Sequence, residues 1–190
     1  MSSAQHATAT QHATAKGTEI AIRLRSVNQL FNSLDPAPFL EKDLDDNAEK
    51  FINDWVGELP KNEPFYIGVH LPREEAGNPE AQQIPEAVAN YFEQRAQMID
   101  RELRDLFRVG RRALIIGMIV LVASFSASQI IPTFIPYAPL AHAVAESLIL
   151  LGWVANWRPI EIYLYEWWPI RRRAMRYQRI AAAPIVVKTD

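Results

Sequence analysis

There is no cysteine among the 190 residues. Disulfides, thiolate nucleophiles and thiolate metal sites are thereby excluded, while the compartment is left open. Also missing are a phosphate-binding glycine-rich loop, an HExxH pair and a G-x-S-x-G elbow, so three common routes to catalysis have no motif here. The first 17 residues, MSSAQHATATQHATAKG, have neither a positive start nor an apolar run and do not read as a signal peptide. They repeat QHATA at 5–9 and 11–15. The expectation is a disordered tail over 1–17; metal capture by His6 and His12 is the weaker alternative, because two histidines on a floppy segment make a poor site.

What is present is unevenly divided. Residues 1–99 carry 8 Lys and Arg against 15 Asp and Glu, and residues 100–190 carry 12 against 7. An acidic front half and a basic back half imply different surroundings. In the front half, Ile20, Ile22 and Leu24 alternate with Glu19, Arg23 and Arg25, as in a half-buried strand. Phe65, Ile67, Val69 and Leu71 repeat the pattern between Pro64 and Pro72. Between them Leu44, Ala48, Phe51, Ile52, Trp55 and Leu59 recur at helical spacing. Asp43, Asp45 and Asp46 could suggest calcium, but the Gly and distal Glu of a calcium loop are missing, and helix capping accounts for them better. Strand, helix, strand implies a right-handed crossover with parallel pairing. His70 falls on the outward strand face and reads as ordinary surface.

Residues 72–79 read as a loop. A long helix is expected next, with Pro85 in its first turn and Val88, Phe92, Ile99, Leu103 and Leu106 as its apolar stripe. No stop signal precedes the next apolar segment, so the helix should run straight on. At the far end, residues 183–188 (APIVVK) suggest a third strand for the same sheet.

Ala113–Ile131, ALIIGMIVLVASFSASQII, is 19 residues without a charge, the length that crosses a bilayer. A second apolar stretch covers residues 140–157, interrupted by His142 and Glu146. The joint between them has Pro132, Pro136 and Pro139 and no charge. A buried hairpin in a soluble protein is disfavoured, because so short a chain leaves little to cover two such helices. Arg101, Arg104, Arg108, Arg111 and Arg112 precede the first span, and Arg158, Arg171, Arg172, Arg173, Arg176 and Arg179 follow the second. The positive-inside rule then puts both flanks, and both termini, in the cytoplasm. Tyr163, Tyr165, Trp167 and Trp168 suit the headgroup level. Pro159 is expected to open a helix lying along the surface and ending before Pro169, with Arg158, Trp167, Trp168, Arg171, Arg172 and Arg173 meeting anionic lipid headgroups. A plain topology signal explains the arginine cluster equally well. Nucleic acid fits less well, since the positive charge is pinned to the span borders.

One constellation could carry chemistry. His142, Glu146, Trp153 and Asn156 fall within an arc of roughly 80° on the second span. Ala141, Ala145, Gly152 and Ala155 run beside them, and the first span answers with Gly117, Ser124 and Ser128, a pattern that lets helices approach and bond across the contact. An ionised Glu146 facing lipid costs several kcal/mol, so it needs a helix, a partner chain or water, and a homo-oligomer with polar faces turned inward is expected. Glu146 lies about 9 Å along the helix from Leu140, in the outer half of the span. Interhelical glue and a proton or cation site are both open readings.

Leu30–Phe39 (LFNSLDPAPF) with Glu41–Leu44 (EKDL), and Trp157–Arg171 (WRPIEIYLYEWWPIR), resemble a recurrent pattern in uncharacterised small bacterial integral membrane proteins, a likeness spanning roughly residues 20–187. That resemblance implies a bacterial inner-membrane origin and no activity. The expected fold class is thus a small cytoplasmic α/β (α+β) domain, residues 18–108, joined to a two-helix transmembrane hairpin, residues 109–158, followed by an interfacial helix and strand, residues 159–190. The expected function is a non-enzymatic oligomeric membrane scaffold or adaptor with a cytoplasmic protein partner and no cofactor. A small proton or cation channel or transporter is the alternative.

Overall fold

The computed structural model describes residues 17–189; the first sixteen residues, with His6 and His12, lie outside the described part. In chain order the elements are β1 (Thr18–Arg23), 3-10 turns at Val27–Gln29 and Phe39–Glu41, α1 (Asp46–Glu58), β2 (Phe65–Leu71), α2 (Arg73–Ala76), α3 (Pro79–Ile130), a 3-10 turn at Ile131–Phe134, α4 (Ala138–Ala155), α5 (Trp157–Glu161), a π turn at Ile162–Glu166, α6 (Trp167–Ala181) and β3 (Ile185–Thr189). They form two compact units. One runs to Met98 and resumes at Arg173, and the other is Ile99–Arg172. The C-terminal strand joins the same sheet, as its sequence suggests, and the chain from Arg173 on groups with the strands.

The first unit is built on a parallel sheet of order β1-β2-β3. Ile20 pairs with Ile67 and Ile22 with Val69, while Ile67 and Val69 pair with Ile185 and Val187. Two-residue periodicity puts these side chains on one face. Buried with them in the same unit are Ile52 and Val56 from α1, Ile84, Val88 and Phe92 from α3, and Ala174, Tyr177 and Ile180 from α6. Each such Val, Ile or Phe side chain contributes about 1.5–3 kcal/mol by leaving water. Asp45 caps α1, accepting from the Asn47 amide at 2.9 Å, the role expected of the aspartate run.

Four local expectations differ from the structure. The buried line of α1 is Ile52 and Val56, not Phe51 and Trp55, which stay exposed; the aromatics sit about 60–100° round the helix from Ile52. The 72–79 stretch contains the short α2. Pro85 is the seventh residue of α3 rather than a first-turn residue, since α3 begins at Pro79. Pro169 does not end the helix opened near Pro159: helical backbone continues to Ala181. A π turn, Ile162–Glu166, lies just before Pro169, and Trp167 Nε1 donates to the Tyr163 carbonyl at 2.9 Å.

The second unit holds the charge-free run of α3, the proline-rich joint and α4. The helical stretches Pro79–Phe134 and Ala138–Ala181 each include a window long and apolar enough to cross a membrane, and only 17% and 6% of those windows is buried. A core helix of a soluble domain would be mostly covered, so this apolar surface needs another explanation.

Candidate functional site

The two apolar helices of the second unit meet through small residues. A methyl group added at Gly117 would stand 2.6 Å from Asn156 Oδ1, and one at Gly152 would stand 2.9 Å from Leu121 Cδ1 and 3.4 Å from Ser124 Cβ. At both places a side chain would crowd the facing helix, so glycine lets the two helices approach closely, and at Gly152 the nearest atom is the movable end of Leu121. Asn156 then ties the contact. Its backbone N–H turns to the Trp153 carbonyl at 3.0 Å. Its side-chain Nδ2 donates to the Gly152 carbonyl at 2.9 Å and to the Gly117 carbonyl on α3 at 3.1 Å. Asn156 is 8% exposed, so losing these bonds would leave a buried amide unsatisfied.

The polar face expected from the sequence is split by this geometry. Ser124, Ser128 and Asn156 are buried with Gly117 and Gly152. The Ser128 hydroxyl donates at 2.7 Å to Phe125 of its own helix, not across the contact. His142, Glu146 and Trp153 are exposed on the other side of α4. The small stripe of Ala141, Ala145 and Gly152 is the inward line; His142 and Glu146 each follow it by one residue, about 100° round the helix.

Beyond α4, the expected headgroup residues are also divided. Arg158 is engaged within the chain, with Nη1 donating to Glu161 at 3.0 Å and both guanidinium nitrogens donating to the Glu166 carboxylate. Arg171 and Arg172 lie over the rings of Trp167 and Trp168 at 5.8 and 5.9 Å, and the two indoles are 4.9 Å apart. Trp168, Arg171, Arg172 and Arg173 are exposed. Cations stacked on amphipathic rings suit a polar–apolar boundary.

The first unit carries two clusters that the sequence did not announce. On the outward sheet face, Glu19 accepts from Lys188 Nζ at 2.6 Å and from the Tyr66 hydroxyl at 2.9 Å, and its Oε1 lies 3.1 Å from His70 Nε2. The Lys188 hydrogen bond, with smaller help from His70 and Tyr66 and against partial desolvation, holds the Glu19 carboxyl at about 2. Here the outward position of His70 was read correctly, but it is half-buried and engaged rather than plain surface. Register alone brings it there: Glu19 pairs with Tyr66, and His70 with Lys188.

Between α1, α3 and α6 lies the second cluster. Glu49 accepts from Tyr177 at 2.6 Å, from Tyr91, and from Arg95 Nη2 at 3.2 Å, and Arg95 Nε donates to the Tyr91 hydroxyl at 2.9 Å. Burial pushes the Glu49 carboxyl up, but the two tyrosine bonds and Arg95 outweigh it and hold the group below its ordinary value. Burial and the Glu49 bond push Tyr177 up to about 12 and raise Tyr91 as well. Glu49 at i−3 from Ile52 was the available signal, a carboxylate on the inner side of α1. Both clusters pair their charges internally, as structural networks do. Among the described residues no group of three or more His, Asp or Glu side chains could hold a metal ion.

Compared with protein families, with curated proteins and with solved structures, the chain matches none.

Proposed function

We propose that this chain is a non-enzymatic integral membrane protein of a bacterial inner membrane: an oligomeric scaffold whose α/β unit presents a surface to a cytoplasmic partner. The observation that carries the reading is the uncovered apolar surface of α4 and the distal part of α3, of which 6% and 17% of the span windows is buried. Hydrocarbon is the solvent in which such a surface is not a liability. Assembly of the first unit from residues before and after the hairpin supports a reading with both of its ends on one side. The arginines at those ends favour the cytoplasmic side. Arg171 and Arg172 over Trp167 and Trp168 fit the boundary with anionic headgroups. Exposed Glu146 and His142 on an otherwise apolar helix favour a second copy of the chain as their shield.

Absence of cysteine makes the topology test clean. In intact cells, a membrane-impermeant maleimide should label Thr133→Cys, and should reach Lys61→Cys only after permeabilisation. The protein should stay in the pellet through alkaline carbonate. Release by carbonate, or equal labelling at both positions, would sink the reading.

A second reading rests on that same exposed pair: His142 and Glu146 would line a proton or cation path between copies. Proteoliposome flux lost in Glu146→Gln supports it. Absence of flux, with the oligomer dispersed in Glu146→Gln, leaves the pair as assembly contacts only.

A further inference from the structure

We infer that the aromatic and acidic face of α1, formed by Phe51, Trp55, Asp54 and Glu58, docks a basic amphipathic segment of a separate protein. This rests on the reading of the first unit as the part that meets a cytoplasmic partner, and it names the surface and the chemistry of what binds there.

Phe51 and Trp55 are 42% and 45% exposed, and their rings lie 6.2 Å apart with a 59° tilt. They form one contiguous patch rather than two scattered apolar residues. The fold does not require them, because Ile52 and Val56 already fill the inner line of α1. Trp is the side chain most often found to anchor interfaces. Asp54 and Glu58, both exposed, fall with the two rings within an arc of about 100° on the helix. Lys50 is the one base of α1, and it lies about 100° from Phe51, on the far side of Asp54. Arg176 covers Gly57, on a different face.

The charges decide between occupants. The chain has a second exposed aromatic pair, Trp167 and Trp168, and there arginines stack on both rings, as anionic headgroups would favour. The charges of α1 that share the arc of Phe51 and Trp55 are the carboxylates Asp54 and Glu58, which repel an anionic bilayer and attract a cationic chain. A segment with Lys or Arg beside aliphatic side chains matches both features, with apolar groups on the rings, bases on Asp54 and Glu58, and cation–π contact with Trp55.

The test uses the full chain in phosphatidylcholine nanodiscs. A fluorescein-labelled amphipathic helical peptide of Lys and Leu is titrated by anisotropy beside its Glu-for-Lys counterpart, with empty discs as baseline. The Lys peptide should bind and the Glu peptide should not. Trp55→Ser should weaken binding at least tenfold. Asp54→Asn with Glu58→Gln should weaken it severalfold and flatten its salt dependence. Circular dichroism should be unchanged in all variants, whose altered side chains are exposed. Equal Lys-peptide binding by wild type and both variants would overturn the proposal. So would loss of the chain's own oligomer in Trp55→Ser, which would make a second copy the occupant, or Trp55-dependent binding to phosphatidylglycerol vesicles, which would make it lipid. If carbonate releases the wild-type chain, the membrane reading fails instead. A chain retained in the membrane with a flat peptide response refutes only this docking surface.

Discussion

Glu49 makes three hydrogen bonds to side chains from two other helices, so its replacement tests the inner network directly. Glu49→Gln should lower unfolding free energy by about 1–3 kcal/mol, and Tyr177→Phe by about 1 kcal/mol, read by chemical denaturation of the detergent-solubilised chain. Glu19 offers a pH test. Its folded pKa, about 2, lies below the ordinary 4.5, so the unfolded chain takes up the proton more readily. Its stabilising contribution is therefore complete above about pH 5 and is lost as pH falls towards 2. In Lys188→Met, a carboxyl NMR titration should show the Glu19 pKa moving up, because the largest influence on it is gone. A Glu19 titration unchanged in that variant would refute the assignment. At this scale the sequence was only partly readable. Asn156 stood out as a polar residue in an apolar stretch, yet its partners are backbone carbonyls of Gly117 and Gly152, which carry no side-chain signature. The Glu19 cluster depends on the register of three strands far apart in the chain, and no local pattern encodes that.

Among elements, periodicity served well where one face is buried and poorly where aromatics compete. The strands expected over residues 19–25 and 65–71 are legible because alternation leaves a single choice of face, though the first runs over Thr18–Arg23. On α1, Phe51 and Trp55 drew the stripe towards themselves, whereas packing selected Ile52 and Val56. Proline suggests a stop at Pro169, yet that residue is only the third of α6, where its missing N–H costs little, and the helix continues to Ala181. The approach of α3 and α4 was foreshadowed by small residues, and a cysteine pair can test it. Cβ atoms at Ser124 and Gly152 would stand 3.4 Å apart, near the short end of the range a disulfide spans, about 3.5–4.5 Å. In this cysteine-free background, Ser124→Cys with Gly152→Cys should oxidise rapidly within one chain, protecting both thiols from maleimide–polyethylene glycol. Ser124→Cys with Ala143→Cys, which places one thiol on an exposed position of α4, should not. Cross-linking between chains instead of within one would contradict the contact.

Across the whole molecule, one unit is made from two separated stretches, residues up to Met98 and from Arg173 on; the sequence hints at this through its last strand but gives no sign that the second half of α6 packs there too. Hydropathy marks the hairpin but says nothing of what its flanks do after it. The third strand is signalled by its β-branched run, but nothing local encodes its parallel seat beside β2 rather than β1. Removing residues 184–190 should strip β2 of one neighbour and expose Ile67 and Val69. Limited proteolysis of residues 17–98 should then speed up severalfold while the span region stays protected; unchanged cleavage would show that β3 adds nothing to the unit.

β3 leaves the ribosome after every other described element. Until it arrives, β2 keeps an open edge that could pair with the wrong strand. Completion of the sheet therefore comes only after the intervening helices have been synthesised, so a finished α/β unit reports that translation has passed through both of them.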